Sequence, residues 1–167
     1  MSNTLENLGA AFAGESQANR SYLFFAEKAD KGGHSQIARL FRAVADAETV
    51  HARNHLEAMV GIKSTKDNLG VAVAGELHEF TKMYPDFIKQ AEAEGHDKAR
   101  VSFNYANKVE KIHHGLYQKA LEALGAGQKP KDELYFVCQV CGNTDAGEAP
   151  EKCPICGAPR KMFKRVE

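Results

Sequence analysis

A glutamate followed three residues later by a histidine occurs twice along this chain, as Glu48-Thr-Val-His51 and as Glu110-Lys-Ile-His113. An i, i+3 spacing places a carboxylate and an imidazole on one face of a helix, one turn apart. Each pair has an upstream glutamate at a matching distance: Glu15 lies 33 residues before Glu48, and Glu76 lies 34 before Glu110. A single pair means little, because most glutamates in long helices are surface residues. Two pairs, each with its upstream carboxylate, point to a four-helix bundle whose inward faces hold two metals.

The surrounding periodicity agrees. Apolar residues at helical spacing predict helices over about 4–31, 35–60, 67–94 and 97–124. Gly32-Gly33, Gly61, Gly95 and Gly125 stop them, and Ser64 with Asp67 three residues on predicts an N-cap for the third. The helical part also repeats. Ala13-Gly14-Glu15 returns as Ala74-Gly75-Glu76 at an offset of 61, and beyond it the offset is 62, from Tyr22 to Tyr84 and from His51 to His113. Two hairpins with one ligand set imply a pseudo-two-fold site with one metal per half. The slip leaves one extra residue in the third helix, which a π-bulge would absorb, and Pro85 follows at once. A bulge or kink is therefore expected between Glu76 and Pro85.

The inward candidates are Glu15, Glu48, Glu76, Glu79, Glu110, His51 and His113. Oxygen donors with one nitrogen per metal suit iron or manganese better than a structural zinc. Glu79 has no counterpart in the first hairpin, where Ala18 stands in its place, and is expected to swing on or off one metal. Tyr22 and Tyr84 are candidate hydrogen-bond partners of ligand carboxylates, with core packing as the equal alternative. His34 and His96 fall at helix starts, and His114 points off the His113 face.

After a polar linker the character changes. The division expected is a helical domain over 1–126, a linker over 127–133 and a small domain over 134–167, whose first strand is Leu134–Val137. Cys138, Cys141, Cys153 and Cys156 form two Cys-x-x-Cys knuckles there, each followed by a glycine that lets backbone amides turn toward sulfur. No secretory leader is expected, which argues against two disulfides and for four thiolates around one metal. The spacing alone fits a zinc ribbon or a one-iron centre. Lys+Arg and Asp+Glu both number 22, so no net field draws nucleic acid or an anionic membrane, and no apolar run is long enough to span a bilayer. A cytoplasmic protein is expected.

On Ala13-Gly14-Glu15-Ser16, Glu48-x-x-His51, Gly75-Glu76-x-x-Glu79 with Met83-Tyr84-Pro85, Glu110-x-x-His113 and the four tail cysteines, the chain resembles the rubrerythrin family from end to end. That resemblance implies a ferritin-like di-iron bundle followed by a rubredoxin-like domain, with all seven bundle ligand positions filled. It implies two iron ions in the bundle, with manganese the alternative, and one iron on the cysteines, with zinc the alternative. The implied activity is a peroxidase of oxidative-stress defence that reduces hydrogen peroxide to water. Electrons arrive through the tail iron from an NAD(P)H-linked reductase or a rubredoxin. One rival is a di-iron oxidase or ferroxidase acting on O2 and Fe(II); the other is a binding module with a zinc ribbon.

Chain length constrains assembly. A ferritin-like bundle needs a long crossover so that its second and third helices run parallel. As predicted, those helices extend roughly 20 Å and ~14 Å beyond Glu48 and Glu76 at ~1.5 Å per residue. The connection Ile62–Lys66 would have to span roughly 34 Å, yet it reaches only ~20 Å fully extended. A helix-swapped homodimer is therefore expected, with Glu15, Glu48 and His51 of one chain facing Glu76, Glu79, Glu110 and His113 of the other. The linker is too short for free roaming, so the tail is expected to dock on a partner subunit's bundle.

Overall fold

The Gly32-Gly33 stop ends a first helix, α1 (Asn3–Lys31), and a second, α2 (Ser35–Ala58), runs back along it. The computed structural model describes residues 3–129 and 131–167. It divides into two compact units, one ending at Lys63 and the other beginning at Ser64. In the first unit the turn closes when the His34 N–H donates to the Ala29 carbonyl at 2.9 Å. Gly33 permits this by taking φ +77°, a conformation that costs an L side chain strain. The α1–α2 contact is made on alanine: Ala26, Ala38 and Ala45 are fully buried. Such small side chains let the two backbones approach closely, and the Asn19 amide spans the gap to the Ala45 carbonyl at 2.7 Å. Tyr22, Phe25 and Phe41 stack alongside.

Helix α2 stops at Ala58, two residues short of the predicted Val60, which adopts φ +56°. The Ser64 hydroxyl accepts from the Asp67 N–H at 3.2 Å, so the N-cap is where the sequence predicts and the helix begins at Thr65. Helix α3 (Thr65–His78) then passes into a π turn over Glu79–Met83 and continues as α4 (Tyr84–Ala93). The Tyr84 N–H reaches back five residues to the Glu79 carbonyl. The bulge therefore lies within the expected interval. Pro85 falls in the first turn of α4, where its missing N–H interrupts no regular helical bond. Helix α5 (Asp97–Gly125) packs back along this broken helix through Tyr84, Phe87 and Phe103. His34 and His96 do occupy the N-cap positions of α2 and α5, but neither caps with its side chain.

The tail folds as a three-stranded antiparallel sheet of order β2-β1-β3, from β1 (Tyr135–Cys138), β2 (Thr144–Ala146) and β3 (Phe163–Val166). Strand β1 begins one residue later than predicted. Tyr135 pairs with Ala146 on one side and Val166 on the other. This sheet belongs to the same unit as α5, and β2 lies against that helix. Gly142, at φ +83°, turns over Val109, which is 2% exposed. The tail thus lies against the α5 of its own chain, with Thr144 and Gly142 facing His113 and Val109.

The alanine seam of the first hairpin is closed to solvent at Ala26, Ala38 and Ala45. Replacing Ala26 by leucine should cost about 1–3 kcal/mol through overpacking. In a thermal unfolding scan the melting temperature should fall by at least ~2 °C. A variant that melts with the parent would show that the seam has room.

Candidate metal centres

In the first hairpin, α1 supplies Glu15 and α2 supplies Glu48 and His51, with ligand atoms within 4.8 Å of one another. The His51 Nδ1 stands 2.9 Å from the Glu48 Oε2 and 4.0 Å from the Glu15 Oε1. In the second, α3 supplies Glu76 and α5 supplies Glu110 and His113, again within 4.8 Å. There the His113 Nδ1 lies 2.7 Å from the Glu110 Oε2. The i, i+3 spacing thus closes one face in both helices, and the upstream glutamate joins it across each hairpin.

The second cluster is electrostatically unsatisfied. Burial, and then the hydrogen bond with the neighbouring Glu110 carboxylate, push Glu76 up to about 7. Burial raises Glu110 too, but hydrogen bonds from His113 and Glu76 outweigh it and hold this carboxyl below its ordinary range. His113 is raised, chiefly by its hydrogen bond to Glu110. Two adjacent carboxylates and an imidazole that share protons are the donor set a divalent cation would displace protons from.

Glu79 opens the π turn, outside the 4.8 Å cluster, and is raised by burial and then by the Glu110 charge. Tyr84 is raised by burial and then by Glu110, Glu79 and Glu76, so its hydroxyl sits in the field of all three carboxylates. Tyr22 packs its ring on Phe25 and Phe41. His114 stacks edge-on with Phe80, a packing role off the His113 face.

In the tail the Cys138 and Cys156 sulfurs are 3.7 Å apart and those of Cys141 and Cys153 are 3.6 Å apart. A disulfide would need about 2.05 Å. Metal–sulfur bonds of ~2.3 Å in a tetrahedron give an edge of about 3.8 Å. The four sulfurs therefore fit one tetrahedral ion. Burial pushes the Cys141 thiol up. Cys153 feels the same burial, but the backbone amides of Cys156 and Ile155 outweigh it and bring this thiol down. Those amides turn toward sulfur, as the knuckle spacing predicts.

Residues 6–121 match the rubrerythrin family, and residues 136–164 match the rubredoxin-like domain of rubrerythrin. The chain belongs to the rubrerythrin family. Among its relatives, rubrerythrin-2 of Clostridium acetobutylicum is 35% identical over 96% of this chain and 95% of its own length. Nigerythrin of Nitratidesulfovibrio vulgaris is 37% identical over 96% and 85% of the two chains. Rubrerythrin of Porphyromonas gingivalis is 36% identical over 99% and 91%. The solved structure of nigerythrin in its fully reduced, all-ferrous state matches at a TM-score of 0.59, with 36% identity over 99% of this chain and 88% of that one. The fold class is thus ferritin-like helical with a small rubredoxin-like domain. As a rubrerythrin the chain is an oxidoreductase of oxidative-stress defence, and its carboxylate–imidazole and four-thiolate donor sets fit iron.

One contact has no signal in the sequence. Thr144 of β2 stands 3.0 Å from the His113 Nε2, and no spacing rule links positions 31 apart.

Because Glu76 is raised to about 7 from an ordinary 4.5 and His113 is raised as well, protons compete with metal in the rubrerythrin bundle. In the metal-free fold the protonated Glu76 stabilises fully below pH 4.5, and that contribution is lost as pH rises through about 7. Metal binding runs the opposite way. Calorimetric titration should show bundle affinity falling from about pH 8 to pH 6, with proton release on binding. An affinity that stays flat over that range would contradict the assignment.

Proposed function

We propose that this rubrerythrin is a non-haem di-iron peroxidase that reduces hydrogen peroxide to water in the cytoplasm. Its electrons come from an NAD(P)H-linked reductase or rubredoxin through the four-cysteine centre. The observation that carries this reading is the coexistence of two kinds of redox donor set in one chain, with strand β2 of the four-cysteine domain seated on His113, itself a candidate ligand. A storage protein has no need of a built-in reductant beside its carboxylates.

Iron, when bound, supplies one electron per ion to O–O cleavage in the bundle and a one-electron couple at the cysteines. The chain's own residues would do the rest. Glu15, Glu48, His51, Glu76, Glu79, Glu110 and His113 are proposed as the bundle ligands and catalytic set, and Cys138, Cys141, Cys153 and Cys156 as the tail ligands. The carboxylates neutralise charge and hold position. Glu79, raised toward its neutral form, can keep a proton beside the site. Tyr84 can donate a hydrogen bond to a ligand carboxylate, with Tyr22 its counterpart in the repeat. The domain limits proposed are 1–126 and 134–167, joined by 127–133.

The site is proposed to lie between two chains. Ala58 lies ten residues past Glu48, and Thr65 lies eleven before Glu76. At ~1.5 Å per residue, a bundle closed within one chain would need the connection to descend about 31 Å. Seven steps of ~3.5 Å reach about 25 Å. The core argues the same way: among the described residues of the helices only Ala26, Ala38, Ala45, Ala91 and Val109 are buried. A second chain's hairpin would cover what remains and bring the two ligand halves together.

Two experiments test this. The first reduces the iron-loaded protein anaerobically and adds one equivalent of peroxide or of O2. The ferric-thiolate colour should return fast with peroxide and slowly with O2. A faster return with O2 would make the protein an oxidase, and no return with either would break the proposed relay. The second mixes a Glu48→Ala, His51→Ala protein with a Glu110→Ala, His113→Ala protein after unfolding and refolding them together. A swapped dimer regains one intact site per heterodimer, and thus activity absent from either parent. A mixture as inactive as its parents would show that each site is built by one chain.

A further inference from the structure

The two halves of the repeat are alike in sequence, but their histidines are held differently. The His113 side chain is 26% exposed and the His51 side chain is 53% exposed. Both present Nδ1 to the glutamate one turn before. At His113 the far nitrogen is also held: Nε2 lies 3.0 Å from the Thr144 Oγ1. Among the described residues no side chain holds the Nε2 of His51 in this way.

The direction of the His113 bond follows from proton counting. A threonine hydroxyl has one hydrogen. The Thr144 Oγ1 gives it to the Gly142 carbonyl, 3.2 Å away. Both contacts are made at once only when the same oxygen accepts from His113 and Nε2 carries the hydrogen. With Nε2 protonated, Nδ1 is the nitrogen that faces Glu110 and the rest of the cluster, and release of its own hydrogen on metal binding would leave its lone pair aimed there.

From this geometry we infer that Thr144, from the four-cysteine domain, is a positioning residue that fixes His113 as its Nε2–H tautomer and so makes the Glu76–Glu110–His113 half the tighter of the two metal positions. The inference rests on the proposed bundle site. Its consequence reaches further, because the hydroxyl comes from a different domain. Asn143 and Thr144 follow directly on the Cys141-Gly142 turn, and the Asn143 backbone N–H donates to the Cys141 sulfur. Whatever orders that knuckle also sets the ring that meets the bundle metal. His113 and Thr144 both line a groove of about 410 Å³ whose walls are mostly apolar, among them Leu116, Val137 and Val166.

The test is a Co(II) titration of the full-length protein, with its cysteine site first filled by one equivalent of zinc, alongside nitrogen NMR of the imidazole rings. The parent protein should show a tighter and a weaker bundle site, with His113 protonated on Nε2. Thr144→Val should weaken the tighter step by about 10-fold or more, the usual range for losing a group that orients a ligand histidine, and should lose the single tautomer. Thr144→Ser, which keeps the hydroxyl, should restore both. If the parent binds two Co(II) in the bundle and Thr144→Val matches it in affinity and tautomer, the role of Thr144 is overturned while the site stands. If the parent binds no Co(II) in the bundle, the site assignment falls and the inference with it.

Discussion

Everything in the second unit converges on the contact between the carboxyls of Glu76 and Glu110. Two acids in hydrogen-bond contact, partly buried, cannot both be charged without a compensating cation. In the metal-free chain a proton fills that role, which is why Glu76 is raised to about 7 while Glu110, backed by His113, stays low. A bundle that required only stability would place leucines here. The cost of such a pair is reasonable only if a metal replaces the proton.

The backbone is shaped around the same contact. The π turn at Glu79–Met83 takes up the one-residue difference between the repeats and carries a third acid on its first residue. Pro85 then finds a place in the helix that a regular i to i−4 ladder would deny it. On the other side of α5 the four-cysteine domain closes over Val109 and holds the outer nitrogen of His113. Symmetry in the sequence therefore becomes asymmetry in the fold. The first hairpin has three candidate ligands and an exposed ring, whereas the second has three candidate ligands, a further acid nearby and a ring held from both nitrogens.

Much of this was legible from residue spacing. The Glu-x-x-His pairs, the glycine stops, the Ser64 cap and the slip from 61 to 62 each obey a local rule, since helical periodicity and turn stereochemistry act within a few residues. Helix ends shifted by a residue or two where the capping geometry, and not the apolar pattern, decides. The seating of the tail on its own α5 was not legible, because the fit of Gly142 and Thr144 onto Val109 and His113 depends on a surface formed only after both domains fold. Thr144 was missed for the same reason. His34 and His96 sit at the predicted helix starts, yet their rings make no caps, because a histidine at an N-cap lacks the short oxygen-bearing side chain that reaches the N2 or N3 amide.

The central claim is that the two halves of the repeat come together around a pair of iron ions, beside a separate iron held by four thiolates. Mössbauer spectroscopy of the oxidised, iron-57-enriched protein tests it most directly, because bridged ferric ions couple their spins and isolated ones do not. The account predicts that about two-thirds of the iron is a spin-coupled pair in oxygen and nitrogen coordination and about one-third is tetrahedral ferric thiolate, following the donor sets of the two sites. Uncoupled ferric ions in the carboxylate sites would mean that the halves never meet, and iron confined to the thiolate signal would mean that the glutamates hold no pair at all.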